Sequence, residues 1–276
     1  KHVETCARCR KLLQDSGKSA KELATDLYAE IAKDLGAALD KAADELGRPH
    51  PTLGYYHVGP AYNYHNVFDF SKMHPLGVQI ANPEVYVRCW PPAVAEIVRQ
   101  EKKLAPPGCP IITWTSPGTL NWEGECACAR YFDALMETFF NGAIGTLYYT
   151  PRNLSPGDLL AQARAARIVA PVEDIIADST LVEDVECEGA GHVSAIRSGE
   201  EMLVLVGEFK RLSEVQVTIR VPVEKPAVVV DLFTGKEAGK VVPGDNGLTV
   251  RIAGAYRTRP LYVGNDWARR AAAGGG

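Results

Sequence analysis

The chain changes rhythm once, and that change constrains its fold more than any other feature. Up to about Val169, long helical segments alternate with short apolar strands; beyond about Thr180 there are only short strands and turns. Strands that are apolar on both faces and separated by helices belong to a parallel sheet covered by its own crossovers. A run of short strands and turns with no helices belongs to a separate antiparallel domain. The first helix shows the local logic. Ser19 and Glu22 form a capping box, Leu23, Leu27, Ile31, Leu35, Leu39 and Leu46 follow at helical spacing, and Gly47 with Pro49 ends the segment.

Four strands are expected in the first part: Leu53–Val58, Val85–Trp90, Pro110–Thr115 and Ile144–Tyr149. Helices are expected from Pro92, with Val94, Ile97, Val98 and Leu104 on one face, and from about Cys126 to Asn141, with Phe132, Leu135, Met136, Phe139 and Phe140 facing inward. A further helix opens at Ser155-Pro156-Gly157-Asp158, where Ser caps, Pro suits the first turn and Asp meets the positive end of the dipole. Four such strands fit an open doubly wound sheet or half of a barrel, and no glycine-rich phosphate loop follows any of them. In the second part, strands are expected at Met202–Val206, Val215–Val221, Val228–Phe233, Leu248–Ile252 and Pro260–Val263, with turn chemistry at Asp231–Gly235 and Asp245–Gly247. A small β-sandwich is the natural arrangement. The division is then 1–176 for the partial barrel, 177–264 for the sandwich and 265–276 for a low-complexity tail.

Composition excludes more than it asserts. With 276 residues and a net charge of -4, and without a basic run, nucleic-acid binding is not expected. The longest apolar runs fall far short of the roughly 18 residues of a membrane span. No secretory signal is visible and the chain does not start with Met, so an upstream part is expected. The 7 cysteines are an odd number in a chain large enough to bury a core, which reads as reduced thiols and a reducing, cytoplasmic setting.

Four segments carry a resemblance. Phe139–Tyr149 looks like the last helix-to-strand step of glycoside-hydrolase-like (β/α)8 barrels. Ala166–Ile176 resembles the exit from such barrels to a β-domain, and Asp231–Gly235 resembles a strand-turn of those β-domains. Cys6-Ala7-Arg8-Cys9 is similar to the cysteine cluster after the fourth barrel strand in the beta-galactosidase-related branch, although Val3 stands where that cluster has a further Cys. The resemblance implies an α/β fold: strands five to eight of a TIM-type barrel followed by an all-β sandwich. It also implies an acid/base Glu upstream of Lys1 and a nucleophile Glu after strand seven. Here strand seven would be Ile111–Thr115, which runs into Ser116-Pro117-Gly118 with no Glu.

The candidate chemistry follows from that reading. Glycoside hydrolysis needs two carboxylates flanking the sugar bond. Glu123 and Glu125, beside Trp122, lie in the loop where a catalytic acid would stand; they are equally suited to meet the N-terminus of the next helix. Tyr56, His57, Trp90, Trp114 and Tyr148 stand at successive expected strand ends, where aromatic faces suit sugars and also suit barrel core. Arg88 suits a carboxylate or hydroxyl, or an ordinary ion pair. Cys6 and Cys9 have the spacing of half a zinc site, which Cys126 and Cys128 would complete only if the fold brought them close; no other cofactor is implied. No G-x-S-x-G, P-loop or H-E-x-x-H is present. The leading expectation is a carbohydrate-active barrel protein, a glycoside hydrolase of oligosaccharide or polysaccharide. The rivals are a degenerate carbohydrate-binding or structural module, and a barrel enzyme of other chemistry. Its partners would be a carbohydrate substrate and either a missing N-terminal half or further copies of the chain, since a half-barrel has two raw edges.

Overall fold

The computed structural model describes residues 5–58, 72, 74–85, 90–115, 128–148, 154–189, 191–211 and 213–273, with backbone alone at 55–58 and 128. The first part runs α1 (Ala7–Ser16), α2 (Ala20–Glu45), β1 (Leu53–Val58), β2 (Val78–Glu84), α3 (Pro91–Leu104), β3 (Ile112–Thr115), α4 (Cys128–Phe139), β4 (Gly145–Tyr148), α5 (Pro156–Val169) and α6 (Glu173–Ala177). Strands β1 to β4 lie side by side in chain order, and each neighbouring pair is parallel. This is a curled parallel sheet of half-barrel type. Both expected capping boxes form, Ser19 with Glu22 and Ser155 with Asp158.

Helices α3, α4 and α5 cover one face of the sheet. Ala81, Val85 and Ile111 from the strands meet Val94, Ile97 and Val98 of α3, and Phe132, Leu135 and Met136 of α4, in one buried cluster. Each large apolar side chain fully buried there contributes roughly 1.5–3 kcal/mol. The strand beside β1 is Val78–Glu84, a segment the sequence did not mark; of the expected strand Val85–Trp90, residues 86–89 lie outside the described residues, and Trp90 is the N-cap of α3. Gly77 and Asn82-Pro83 carry turn chemistry, which hides this strand in the sequence, yet Ala81, Asn82 and Pro83 are buried in it. On α2 much of the leucine stripe is exposed. Leu27, Ile31 and Leu35 are 51%, 62% and 52% exposed, whereas Thr25, Ala29, Gly36 and Ala43 are buried. Small residues on the inner face let the helix lie close: a Cβ added at Gly36 would stand 3.5 Å from the Leu76 carbonyl oxygen.

The second part is antiparallel. Strands β5 (Thr180–Leu181), β7 (His192–Ser198), β8 (Glu201–Gly207), β10 (Ala227–Asp231), β11 (Lys236–Val241) and β13 (Thr258–Gly264) form one sheet, in the order β11-β10-β13-β8-β7-β5. Strands β6 (Glu186–Glu188), β9 (Val215–Arg220) and β12 (Gly247–Ile252) form a second sheet, in the order β12-β9-β6. The two sheets enclose a core of Val204, Val206, Val217, Ile219, Val250 and Ile252. The outer face of the larger sheet is buried as well. Leu203, Leu205 and Tyr262 belong to the helix cluster of the half-barrel, which explains the unbroken Met202–Val206 apolar run. Helix α7 (Trp267–Ala273) follows, in the segment that composition marks as a tail. Its Arg270 is buried and pairs with Asp174 of α6 at 2.5 Å and Glu201 of β8 at 2.5 Å, which fastens the helix to both parts. Among the described residues no helix is long and apolar enough to cross a membrane.

Helix α4 joins the two parts with buried acids. Both oxygens of Asp133 accept the Arg257 backbone N–H, at 3.1 and 3.0 Å, and Oδ1 also accepts the Thr258 hydroxyl at 2.7 Å. Burial pushes the Asp133 carboxyl up to about 7, against the pull of those donors and of Arg130. The unfolded chain releases this proton near the ordinary carboxylate value of 3.8. Between about 4 and 7 the folded state therefore binds more protons, and stability falls as pH rises through that window, then levels off. The slope is at most about 1.4 kcal/mol per pH unit. Asp133→Asn keeps an oxygen for Thr258 and Arg257 but cannot titrate. The wild-type minus variant unfolding midpoint is thus expected to decline from pH 4 to pH 7; a difference that stays flat would contradict the assignment.

Candidate functional site

The helix-free face of the parallel sheet is where the fold gathers polar and aromatic groups. Side chains alternate along a strand, so with Ala81 and Val85 of β2 turned to the helices, Asn82 and Glu84 belong to the opposite face. The same alternation in β3 sets Ile111 toward the helices and Ile112 and Trp114 on the free face. Register then assembles two rows. One places Tyr56 of β1 opposite Asn82, and the Asn82 amide donates to the Ile112 carbonyl at 3.0 Å. The next row, at the carboxyl ends, sets Val58, Glu84, Trp114 and Leu147 abreast. Gly54 makes room for the lower row, since a Cβ there would stand 2.4 Å from the Asn82 side-chain oxygen. Glu84 and Trp114 are both half-buried, open enough to meet a ligand and packed enough to be held.

A second group lies beyond the ends of β2 and β3. Trp90 opens α3 and Arg130 lies in the first turn of α4. The Arg130 guanidinium stands over the Trp90 ring at 5.1 Å and over the Phe209 ring at 6.0 Å. Phe209 comes from the loop after β8 and meets Trp90 edge-on, with ring centroids 6.1 Å apart. Trp90 nevertheless keeps 38% of its surface exposed.

The sequence-derived candidates divide accordingly. Trp114 is on the free face, next to Glu84. Trp90 is with Arg130 and Phe209. Tyr148 is opposite Thr115 in register and packs against the helix-side cluster, on the other face from Trp114. Tyr56 and His57 belong to β1, and their side chains are not described. Glu123, Glu125, Trp122, Arg88 and Cys126 lie outside the described residues. Cys6 and Cys9 flank the start of α1, where the Cys9 N–H and thiol lower the Cys6 thiol below its ordinary value. Among the described residues no group of three or more His, Cys, Asp or Glu is placed to hold a metal ion. Glu84, Asn82, Arg130 and Phe209 are the residues the sequence did not single out. The alternation of Ala81, Pro83 and Val85 with Asn82 and Glu84 is the signal for them in the sequence, obscured by the turn chemistry of Asn82-Pro83.

With this geometry in hand, solved structures are informative. The chain is similar to a wild-type GH27 β-L-arabinopyranosidase from Geobacillus stearothermophilus, with a TM-score of 0.52 at 12% identity, over 82% of this chain and 52% of that one. The fold is shared with a glycoside hydrolase. A variant of the same enzyme in complex with arabinose gives a TM-score of 0.51 at the same identity and coverage. A GH30 endoxylanase from Clostridium papyrosolvens C71 is matched at 0.43 and 12% identity, over 87% and 72% of the two chains, a value too low to bear on the fold. The chain spans about half the length, 52%, of the arabinopyranosidase. No protein-family model matches the sequence, and no curated protein does.

Proposed function

We propose that the chain is strands five to eight and the β-domain of a carbohydrate-active barrel protein, a glycoside hydrolase acting on an oligosaccharide or polysaccharide. The observation that carries this reading is Glu84 beside Trp114 at the carboxyl ends of the parallel strands, on the face the helices leave free. Barrel enzymes place their chemistry at that edge. In place of the upstream acid/base Glu that the resemblance implies, a carboxyl group there can deliver a proton to a glycosidic oxygen, and an indole beside it offers a flat apolar surface to a pyranose. Glu123 and Glu125 follow β3 in sequence and are the candidates for the second carboxylate. Cys6-x-x-Cys9 supports the beta-galactosidase-related branch, and the shared fold supports a pentopyranoside or hexopyranoside substrate.

The test uses p-nitrophenyl β-D-galactopyranoside and p-nitrophenyl β-L-arabinopyranoside with the full-length protein. Replacing Glu123 and Glu125 together by Gln is expected to lower turnover by about 10²-fold or more, as for the loss of a catalytic carboxylate. Unchanged turnover would remove both from the mechanism. Sugar binding without hydrolysis by the wild type would point instead to a non-catalytic relative.

A further inference from the structure

We propose that the β-domain forms part of the sugar cleft. Phe209 and Arg130 fix the Trp90 indole as a stacking platform for the apolar face of a pyranose ring. The inference rests on the carbohydrate reading above and adds to it a subsite built from both parts of the chain.

Three observations carry it. First, Trp90 follows the carboxyl end of β2 and Arg130 lies at the start of the helix after β3, so both belong to the same edge of the sheet as Glu84 and Trp114. Second, the indole is braced by neighbours and still exposed. Arg130 lies over the ring and Phe209 meets its edge, yet more than a third of Trp90, 38%, remains in contact with solvent. A buried indole would be core; an unsupported one would be a mobile surface group that loses entropy on binding. A half-exposed indole braced by a cation and a second ring is neither. Third, the brace is itself built. Nη1 of Arg130 is buried without a hydrogen-bond partner among the described residues, and the guanidinium carbon lies 5.1 Å from the Trp90 ring centre and 6.0 Å from that of Phe209. Phe209 is 7% exposed and folds back over Gly207: a Cβ added at Gly207 would lie 2.5 Å from its ring carbon Cζ. Only a residue without a side chain leaves that ring where it is. Gly207 ends β8 and pairs with Thr258 and His192, so the brace is anchored in the middle of the larger sheet of the β-domain.

Trp90 is thus the contact residue, and Arg130, Phe209 and Gly207 are positioning residues. The experiment measures binding of β-1,4-galactotetraose by calorimetry, and KM and kcat on p-nitrophenyl β-D-galactopyranoside, for wild type, Trp90→Ala, Phe209→Leu, Gly207→Ala and Arg130→Lys. Trp90→Ala is expected to weaken binding about ten-fold, the size of a lost aromatic stacking contact. Gly207→Ala changes no contact residue but must displace the Phe209 ring. It and Phe209→Leu are expected to weaken binding about three-fold and to raise KM with kcat unchanged. Phe209→Leu should add nothing when Trp90 is already Ala, because the two act on one contact. A general loss of structure would instead lower the unfolding midpoint and kcat together. Wild-type binding by Phe209→Leu and Gly207→Ala, alongside weak binding by Trp90→Ala, overturns the role of the β-domain and leaves the carbohydrate reading intact. Wild-type binding by Trp90→Ala overturns the platform. A wild-type protein that neither binds the tetrasaccharide nor hydrolyses the glycoside overturns the carbohydrate reading, and this inference with it.

Discussion

Replacing Glu84 by Gln is expected to lower hydrolysis of a glycoside with a poor leaving group by about 10²–10⁴-fold, the usual worth of a positioned general acid. Gln has the size of Glu and retains its hydrogen-bonding oxygen, so the half-buried site should keep its shape and the unfolding midpoint should move little. The expected signature is a dependence on the leaving group. An alkyl alcohol departs only when its oxygen is protonated, whereas p-nitrophenolate departs without help. The variant should therefore lose far more activity on an alkyl glycoside than on the p-nitrophenyl glycoside. Equal losses on both substrates would assign Glu84 to substrate binding. No loss on either would remove it from the site and leave the free face of the sheet without its described carboxylate.

Much of the fold is legible in the sequence where a single period dominates. Phe132, Leu135, Met136 and Phe140 repeat at helical spacing and are all buried, and the α4 they mark lies where expected. Val215–Val221 alternates, and β9 follows it to within a residue. The failures occur where tertiary packing overrides the local pattern. The Leu27, Ile31, Leu35 stripe is a better apolar face than Thr25, Ala29, Gly36, Ala43, yet the small residues are the buried ones, and Gly36 lies close against Leu53 and Leu76. Strand β2 contains Asn82-Pro83, a pair that reads as a turn. Pro83 is accommodated beside β1 and the Asn82 amide finds the Ile112 carbonyl. Strand β11 is mostly exposed and polar, as befits an edge, and so gives no apolar signal. The site was less legible than the fold for the same reason. Glu84 is informative only once register sets it beside Trp114, and Phe209 only once the β-domain folds against α4.

The junction between the two parts supplies the largest expected effect on stability. Glu137 of α4 has no exposed surface, and its Oε2 accepts the Ser194 hydroxyl at 2.6 Å and the Asn141 amide at 3.1 Å. His192 lies 3.4 Å from its other oxygen. Arg99 of α3 completes the group, donating to the Asn141 side-chain oxygen at 2.7 Å and to the Val193 carbonyl at 2.8 Å. Two helices and one strand thus share a buried, mostly satisfied polar network. Removing the shared acceptor leaves the Ser194 hydroxyl and the Asn141 amide buried without it, at roughly 1–3 kcal/mol for each, so the loss is about 3–5 kcal/mol. Glu137→Ala is therefore expected to lower unfolding stability by about that amount. Glu137→Gln keeps an acceptor oxygen and the volume, and its cost should be nearer the roughly 1–3 kcal/mol of an imperfectly satisfied buried group. Equilibrium denaturation in urea separates the two through the shift in midpoint, with the solvent-exposed Lys225–Glu200 pair as a control whose removal should leave the midpoint in place. Equal, small losses for Ala and Gln would mean that apolar contacts hold the parts together without the network. The expected order, Ala well below Gln and Gln below wild type, would show that α4 binds the β-domain through its acids as well as through its phenylalanines. It would also explain why a loop residue of that domain can stand in a fixed place beside Trp90.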